Sequence, residues 1–546
     1  MNETFVNLRK KVELFFQKNT LLRMVLFAVV VLGITNKIYF KRYYLPTAIY
    51  WDEAYHIPAA AKYVAGVFFM EPHPPLGKMI IAAGEEMLNW GEKKFGWDAN
   101  HGDTHELERY EQMQFEMPNG FTYAGYRFFP ALSGWFNALL FALILIELTG
   151  SYLWALLFLP LYAFDNALIA DFRGAMIDSL MIFGVLLCIW GFLRLVNLKS
   201  TRTKAGIWAL FIMIFGFSFA VMTKVLALIV ALFWPALWWF KRKSGELGFL
   251  LKSFVLQVLF FAIFSGAIWA YHFNFYTHTE VSLRNEGLYY ASSDYEKIIF
   301  NLPNNFNAVE RFTIALRDNL RFFKAYEERV PSYDLDKGNI TASFPIWWAF
   351  GSRPIYFRNT YPQEPEQRHM FLMPNPAIWL TALVGLVIAL GGLAVSALFS
   401  IKIFSQKNYF LMLTFATIYL IYMGVVSNIR RILYLTHYFI PLFFTFFILV
   451  LLMKEIYTGT KSACVKNACK VFFVFFPIVT FAFFLYIKPL TYYEPITCAE
   501  AYGRGFFRYW SMKVNFCPDP TVNKTFLGKP KPDPRHQAAM VNSEDY

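Results

Sequence analysis

Residues 51–88 read WDEAYHIPAAAKYVAGVFFMEPHPPLGKMIIAAGEEML, directly after the first long apolar run. Asp52 and Glu53 therefore stand at a membrane surface, where a carboxylate beside low-dielectric material has a raised pKa and becomes a better base. The plainer reading of the pair is an interfacial charge cluster that ends a helix. His73-Pro74-Pro75 must be extended, because each proline disfavours the helical region for the residue before it. Leu76-Gly77-Lys78 then enters an apolar, amphipathic helix lying on the membrane surface. A rigid turn thus holds an imidazole and an ammonium near Asp52, unless Lys78 only snorkels. Further candidates stand near the ends of other apolar runs, Arg127, Arg173, Asp178, His437 and Tyr438, and Arg353 lies in the long polar connection between two runs, beside Trp347 and Trp348. Arginine suits a phosphate, since its planar fork pairs two oxygens and it stays cationic near lipid. The same residues at span ends also act as interfacial anchors. Asp178 is expected to pair with Arg173, because an unpaired carboxylate inside a span is costly.

The elements that must position these groups are membrane spans. Of 546 residues 57% are hydrophobic and 16% charged, with mean hydropathy +0.38, against about 45–50% and about 25% in a soluble protein. A soluble multidomain chain, a disordered chain and a collagen are excluded. Runs of about 17–25 apolar residues fall near 22–40, 128–148, 151–170, 175–195, 206–222, 224–240, 253–272, 376–401, 408–427, 433–453 and 470–487. The short connections carrying Arg9, Lys10, Lys11, Lys18, Lys199, Arg202, Lys204, Lys241, Arg242, Lys243, Lys252, Lys402, Lys407, Lys454, Lys461, Lys466 and Lys470 lie on one side, which the positive-inside rule makes cytoplasmic. Much of the net charge of +13 is thereby topological, and nucleic acid is not an expected partner. The first run lacks a small-residue cleavage site and reads as a retained signal anchor.

The expected organisation is a membrane module over 1–272 with a first outer loop 41–127, a large outer loop 273–375, a four-span module 376–487 and an external tail 488–546. Cys498 and Cys517 fall in that tail, in an oxidising compartment, and are placed to pair. Cys464 and Cys469 lie in an inner loop and stay reduced. His101 and His105 are spaced for a metal on a helix, but Gly102 and the acidic stretch Asp98–Glu116 favour a solvated face, and no metal ligands are assigned. His272 and His278 carry no stronger signal. Asn339 and Asn523 begin glycosylation acceptor patterns.

The acidic pair after the first span, followed some twenty residues later by HPPLGK, resembles the protein O-mannosyltransferase family, membrane enzymes of the GT-C glycosyltransferase class. Similar matches run along the chain: Tyr126-Arg127 opening the second span, Arg173 with Asp178 five residues on, Ser343-Phe344-Pro345-Ile346-Trp347-Trp348 before Arg353-Pro354, Asn375-Pro376, and Arg431 to Tyr438. The chain departs from the family at Glu71, where an Asp is usual, and at Ala54-Tyr55-His56. It also lacks a trefoil-like insert in residues 273–375, so it is similar to the compact prokaryotic form.

The resemblance implies an all-α polytopic GT-C fold of about eleven transmembrane helices, with amphipathic helices in the first outer loop. It implies transfer of mannose from a dolichyl or undecaprenyl phosphate to Ser or Thr of secreted or membrane proteins at the external face, with inversion. Asp52 is then the general base and Glu53 positions the acceptor. Arg127, Arg173, Lys78 and His437 are candidates for the phosphate, with His73, Asp178, Arg353 and Tyr438 completing the binding set. The donor is a substrate; no cofactor is implied and a divalent metal is left open. A homo- or hetero-dimer is compatible. The alternatives are a GT-C transferase with a lipid or glycan acceptor and, more remotely, a transporter, which would place its ionisable residues near the midplane.

Overall fold

The computed structural model describes residues 20–88, 121–277, 279, 287–330, 342–359, 367–507 and 510. Among them nine helices are long and apolar enough to cross a membrane. A tenth apolar segment is bent by 68° between Tyr152–Ala163 and Asn166–Phe172, and an eleventh, Val225–Lys241, is shorter. The eleven expected runs therefore all appear, but two of them are not straight spans.

The bend has a local cause. Asp165, in extended geometry, caps the helix Asn166–Phe172 by accepting the Leu168 N–H at 2.9 Å. Its other oxygen accepts the Trp379 indole N–H at 2.6 Å. Asn375 donates to the Phe164 and Thr480 carbonyls, both at 2.9 Å. Backbone that leaves the helix at membrane depth is tolerated only where protein surrounds it, and this knot also ties the bend to the C-terminal helices. The second break is at Lys224, whose extended backbone (φ −153°, ψ 124°) separates Lys204–Thr223 from Val225–Lys241.

Helices Asp178–Asn197 and Lys204–Thr223 cross closely through Gly184 and Gly216: a Cβ on Gly184 would lie 2.7 Å from the Ala220 nitrogen. Small residues at crossings let backbones approach and gain dispersion contacts. The segment Leu435–Gly459 is the centre of the bundle, with 83% of its apolar window buried, whereas Leu21–Phe40 and Leu247–His272 are peripheral at 17% each.

Outside the spans, Glu53–Ala65 packs on Leu76–Leu88, which in turn packs on the start of Ala124–Thr149. Gly125 permits that contact, since a Cβ there would meet the Glu85 backbone at 2.6 Å. Between the helices ending at His272 and starting at Pro376, a capping box of Asn307 and Glu310 starts the helix Ala308–Arg329, and an antiparallel hairpin pairs Ile355–Asn359 with His369–Leu372. Cys498 is disulfide-bonded; Cys517, Asn339, Asn523, His278 and the stretch with His101 and His105 lie outside the described residues. Cys464 and Cys469 are free thiols.

Candidate active site

The residue before the acidic pair, Trp51, has left-handed backbone (φ 48°), a conformation that costs a non-glycine residue about 1–2 kcal/mol. Its ring stacks on Phe357 at 5.7 Å and meets Tyr434 edge-on at 5.1 Å. Contacts from the outer hairpin and the C-terminal module thus hold a turn that sends Asp52 and Glu53 in different directions.

Glu53 points inward and is fully buried. It accepts from Arg127 Nε at 2.6 Å and Nη2 at 2.7 Å, from the Ala175 N–H at 2.7 Å and from the Tyr50 N–H at 3.2 Å. The remaining Arg127 N–H groups donate to the Tyr44, Pro46 and Ala48 carbonyls, and its guanidinium lies over Tyr123 at 4.2 Å. This corrects two expectations. Arg127 has no donor left for a phosphate, and Glu53 faces the protein interior rather than an acceptor. Both hold the loop 44–53 to the second span, because a buried charge persists only when paired and hydrogen-bonded.

Arg173 is likewise turned to the backbone, although its Nε is not engaged there. Its guanidinium donates to the carbonyls of Ile38, Tyr39, Lys41 and Arg42 at 2.8–3.2 Å, closing the C-terminal end of the first span, and lies over Tyr492 at 4.9 Å. Asp178 does not pair with it; its partner is Lys224 Nζ at 2.8 Å. The turn after the bent helix reaches the acidic pair through Ala175, whose N–H bonds Glu53 and whose carbonyl meets His56 Nδ1 at 2.9 Å. Burial holds His56 well below the ordinary imidazole pKa, so it is neutral.

Asp52 is different. It is partly exposed and heads the helix Glu53–Ala65 without capping it. Burial of the group pushes its pKa up to about 6, with Lys224 and Lys78 acting against that rise and Asp178 adding to it. The three named charges surround the reacting side of the loop. Lys78 is anchored to Glu71 at 2.8 Å, and the His73 N–H donates to the same carboxylate at 3.0 Å. Lys78 and His73 hold Glu71 down to about 2 against the burial that would raise it. The HPPLGK turn therefore has an internal ion pair, and Glu71 fills the acidic position of that turn.

On the opposite wall, Trp348 stacks on His437 at 6.1 Å and Tyr438 approaches the Tyr419 hydroxyl at 3.3 Å. Arg353 is left-handed (φ 53°) and donates to the Ala342 carbonyl at 2.9 Å. The helix Ala308–Arg329 covers the mouth: Tyr326 lies 6.0 Å from His73, and Glu327 pairs with Arg431 at 2.6 Å. Two groups at the centre were not singled out by spacing, Lys224 and Asp171. For Lys224 a signal existed, since it is a lone lysine in the tight turn between two apolar runs. Among the described residues no three His, Cys, Asp or Glu side chains converge as a metal site.

The arrangement places an accessible carboxylate with elevated basicity beside a partly exposed ammonium, at the rim of a helix bundle. That combination is chemically able to take a proton from a hydroxyl and to hold an anion.

The family model for dolichyl-phosphate-mannose-protein mannosyltransferase matches residues 29–280, and that for the C-terminal four-span region of protein-O-mannosyltransferase matches 322–510. The chain is 30% identical to protein O-mannosyl-transferase 1 of Danio rerio over 180 residues, 32% of this chain and 23% of that one. It is 26% identical to protein O-mannosyl-transferase 2 of Drosophila melanogaster over 277 residues, 47% and 33% of the two chains. The matched segments span 23% and 33% of those relatives, a third of their length or less. The Saccharomyces cerevisiae protein O-mannosyltransferase Pmt1-Pmt2 complex bound to the sugar donor superposes with a TM-score of 0.72 over 93% of this chain and 96% of that one, at 13% identity. That likeness places the chain in the GT-C fold class.

Proposed function

The chain belongs to the protein O-mannosyltransferase family, and on that premise we propose that it transfers mannose from a polyprenyl phosphate, dolichyl or undecaprenyl, to Ser or Thr hydroxyls of proteins at the external face of the membrane. The observation that carries this reading is the Asp52 carboxylate, raised to about 6 and facing Lys224. One displacement suffices. The acceptor oxygen forms its bond to the anomeric carbon as the bond from that carbon to the phosphate oxygen breaks, and the configuration inverts. The hydroxyl proton passes to Asp52, and the electron pair leaves with the phosphate. A phosphate leaves ionised, so no general acid is required, but its added charge must be held.

Lys224 is the group suited to that, with its Nζ partly exposed and its partner Asp178 fixing its direction. His73 and Lys78 line the same side, and Arg353, His437 and Tyr438 are assigned to the donor on the opposite wall. Asp52 is ionised at neutral pH yet more basic than an ordinary carboxylate, which suits a general base. A pair of such chains fits the same reading, since the yeast neighbour is a two-chain complex.

The test is purified full-length protein with labelled polyprenyl phosphate mannose and a Thr-rich peptide. Labelled peptide with inverted linkage is expected. Label confined to lipid or glycan acceptors would overturn the peptide assignment.

A further inference from the structure

Asp171 lies in the last turn of the helix Asn166–Phe172, is 1% exposed, and its Oδ1 meets no hydrogen-bond partner among the described residues. The charged groups facing it are Asp178, Lys224, Asp52 and Glu53. Three of these are already matched: Glu53 by Arg127 at 2.6 Å, and Lys224 and Asp178 by each other at 2.8 Å. Asp52 and Asp171 remain as two carboxyl groups where an anionic phosphodiester has to bind, since Lys78, the other cation acting on Asp52, is paired with Glu71 at 2.8 Å. Two neighbouring carboxyls do not both ionise readily, and an unpaired buried carboxylate is costly. Asp52 is the one that reaches solvent, so the proton belongs on Asp171. A protonated carboxyl donates a hydrogen bond, and one held neutral at an apolar site serves as a donor to developing negative charge.

A second unpartnered group stands beside it. The Tyr50 hydroxyl is buried without a hydrogen-bond partner, and Asp171 is among the charged groups that face it. A Cβ on Gly174 would lie 2.6 Å from that hydroxyl, so the absence of a side chain there lets Tyr50 reach the turn, where the Gly174 N–H donates to the Asp171 carbonyl at 3.0 Å. Two buried polar atoms that ordinary packing would have satisfied thus sit on one wall.

We propose that Asp171 is kept uncharged and, with the Tyr50 hydroxyl, forms a hydrogen-bonding subsite for an oxygen of the glycosyl phosphate donor. The inference rests on the donor chemistry proposed above. Its effect is that the donor meets a hydrogen bond where an ionised group would repel it.

The test uses Asp171→Asn and Asp171→Leu in the purified full chain, each with a thermal melt. Asn preserves a neutral donor, so the KM for polyprenyl phosphate mannose is expected to stay within about threefold, while Leu raises it by about tenfold or more. Competition with sugar-free polyprenyl phosphate separates the two sources of oxygen. Equal weakening of both lipids by Leu assigns the phosphate, and weakening of the mannosylated lipid alone assigns the sugar. Infrared difference spectra of wild type against Asp171→Asn at neutral pH should show a protonated-carboxyl stretch that the variant lacks. Absence of that band, or an Asn variant as impaired as Leu with a wild-type melt, overturns the proposal. The infrared result stands whether or not mannose is transferred, so failure of the reaction and failure of the subsite are separate outcomes.

Discussion

Asp52 and Glu53 are adjacent in the chain and opposite in circumstance. Glu53 accepts four hydrogen bonds, two of them from a guanidinium whose other N–H groups are all engaged by carbonyls. Asp52 is partly exposed and feels the fields of Lys224, Asp178 and Lys78. Saturated hydrogen bonding makes Glu53 a fastener, whereas burial of its carboxyl raises the basicity of Asp52, which keeps part of its surface open. One turn, forced by left-handed Trp51, produces both environments.

The contrast can be broken most severely at its fastened half. Arg127→Met leaves Glu53 buried without its cation and should cost about 3–5 kcal/mol, seen as loss of folded protein in a detergent melt. A variant that folds normally but fails to bind donor would return Arg127 to the phosphate. At the reactive half, Lys224→Met should lower transfer by about 10²-fold or more, the usual size of losing one stabilising charge or donor. Because that change also strands Asp178, the double variant Lys224→Met/Asp178→Asn should regain stability without regaining transfer; recovered transfer would show that Lys224 only packs.

Arg173→Met sharpens the same division with a smaller effect. Its bonds to four carbonyls predict about 1–3 kcal/mol of lost stability, with the rate per folded molecule unchanged and donor KM the deciding measurement. The mildest probe is pH. With Asp52 near 6 and required as the carboxylate, transfer should fall about tenfold per unit as pH drops below about 6 and level off above it. A profile flat from pH 5 to 7 would remove Asp52 from the base role.

The expected runs were legible because a span is a property of consecutive apolar residues, and the eleven segments appear where hydropathy puts them. Hydropathy does not register a cap in mid-run, so the bend at Asp165 was invisible as geometry, whereas the boundary at Lys224 lay between the runs 206–222 and 224–240. The pair Asp52 and Glu53 and the HPPLGK turn were legible as chemistry, from residue type beside a membrane. Their partners were not. Arg127, Arg173 and Asp178 have the composition of a phosphate site, and only the fold shows that two of them spend their donors on carbonyls and Glu53 while Asp178 turns to Lys224. Asp171 gave no signal at all, since one carboxylate in an apolar segment looks the same in sequence whether it is paired or left alone.

The central claim, that the exposed member of the pair does chemistry and the buried one holds the fold, is tested most directly by Asp52→Asn with transfer rate and melt measured on one preparation. A carboxyl whose folded pKa is raised from 3.8 to about 6 binds its proton more tightly when folded. Stability is therefore lost as pH rises through that interval, and at pH 7 the ionised Asp52 weakens the fold. The neutral variant should lose about 10²–10⁴-fold in rate while melting at or above the wild-type temperature. Full activity, or a rate lost only in step with a lowered melt, would contradict the account.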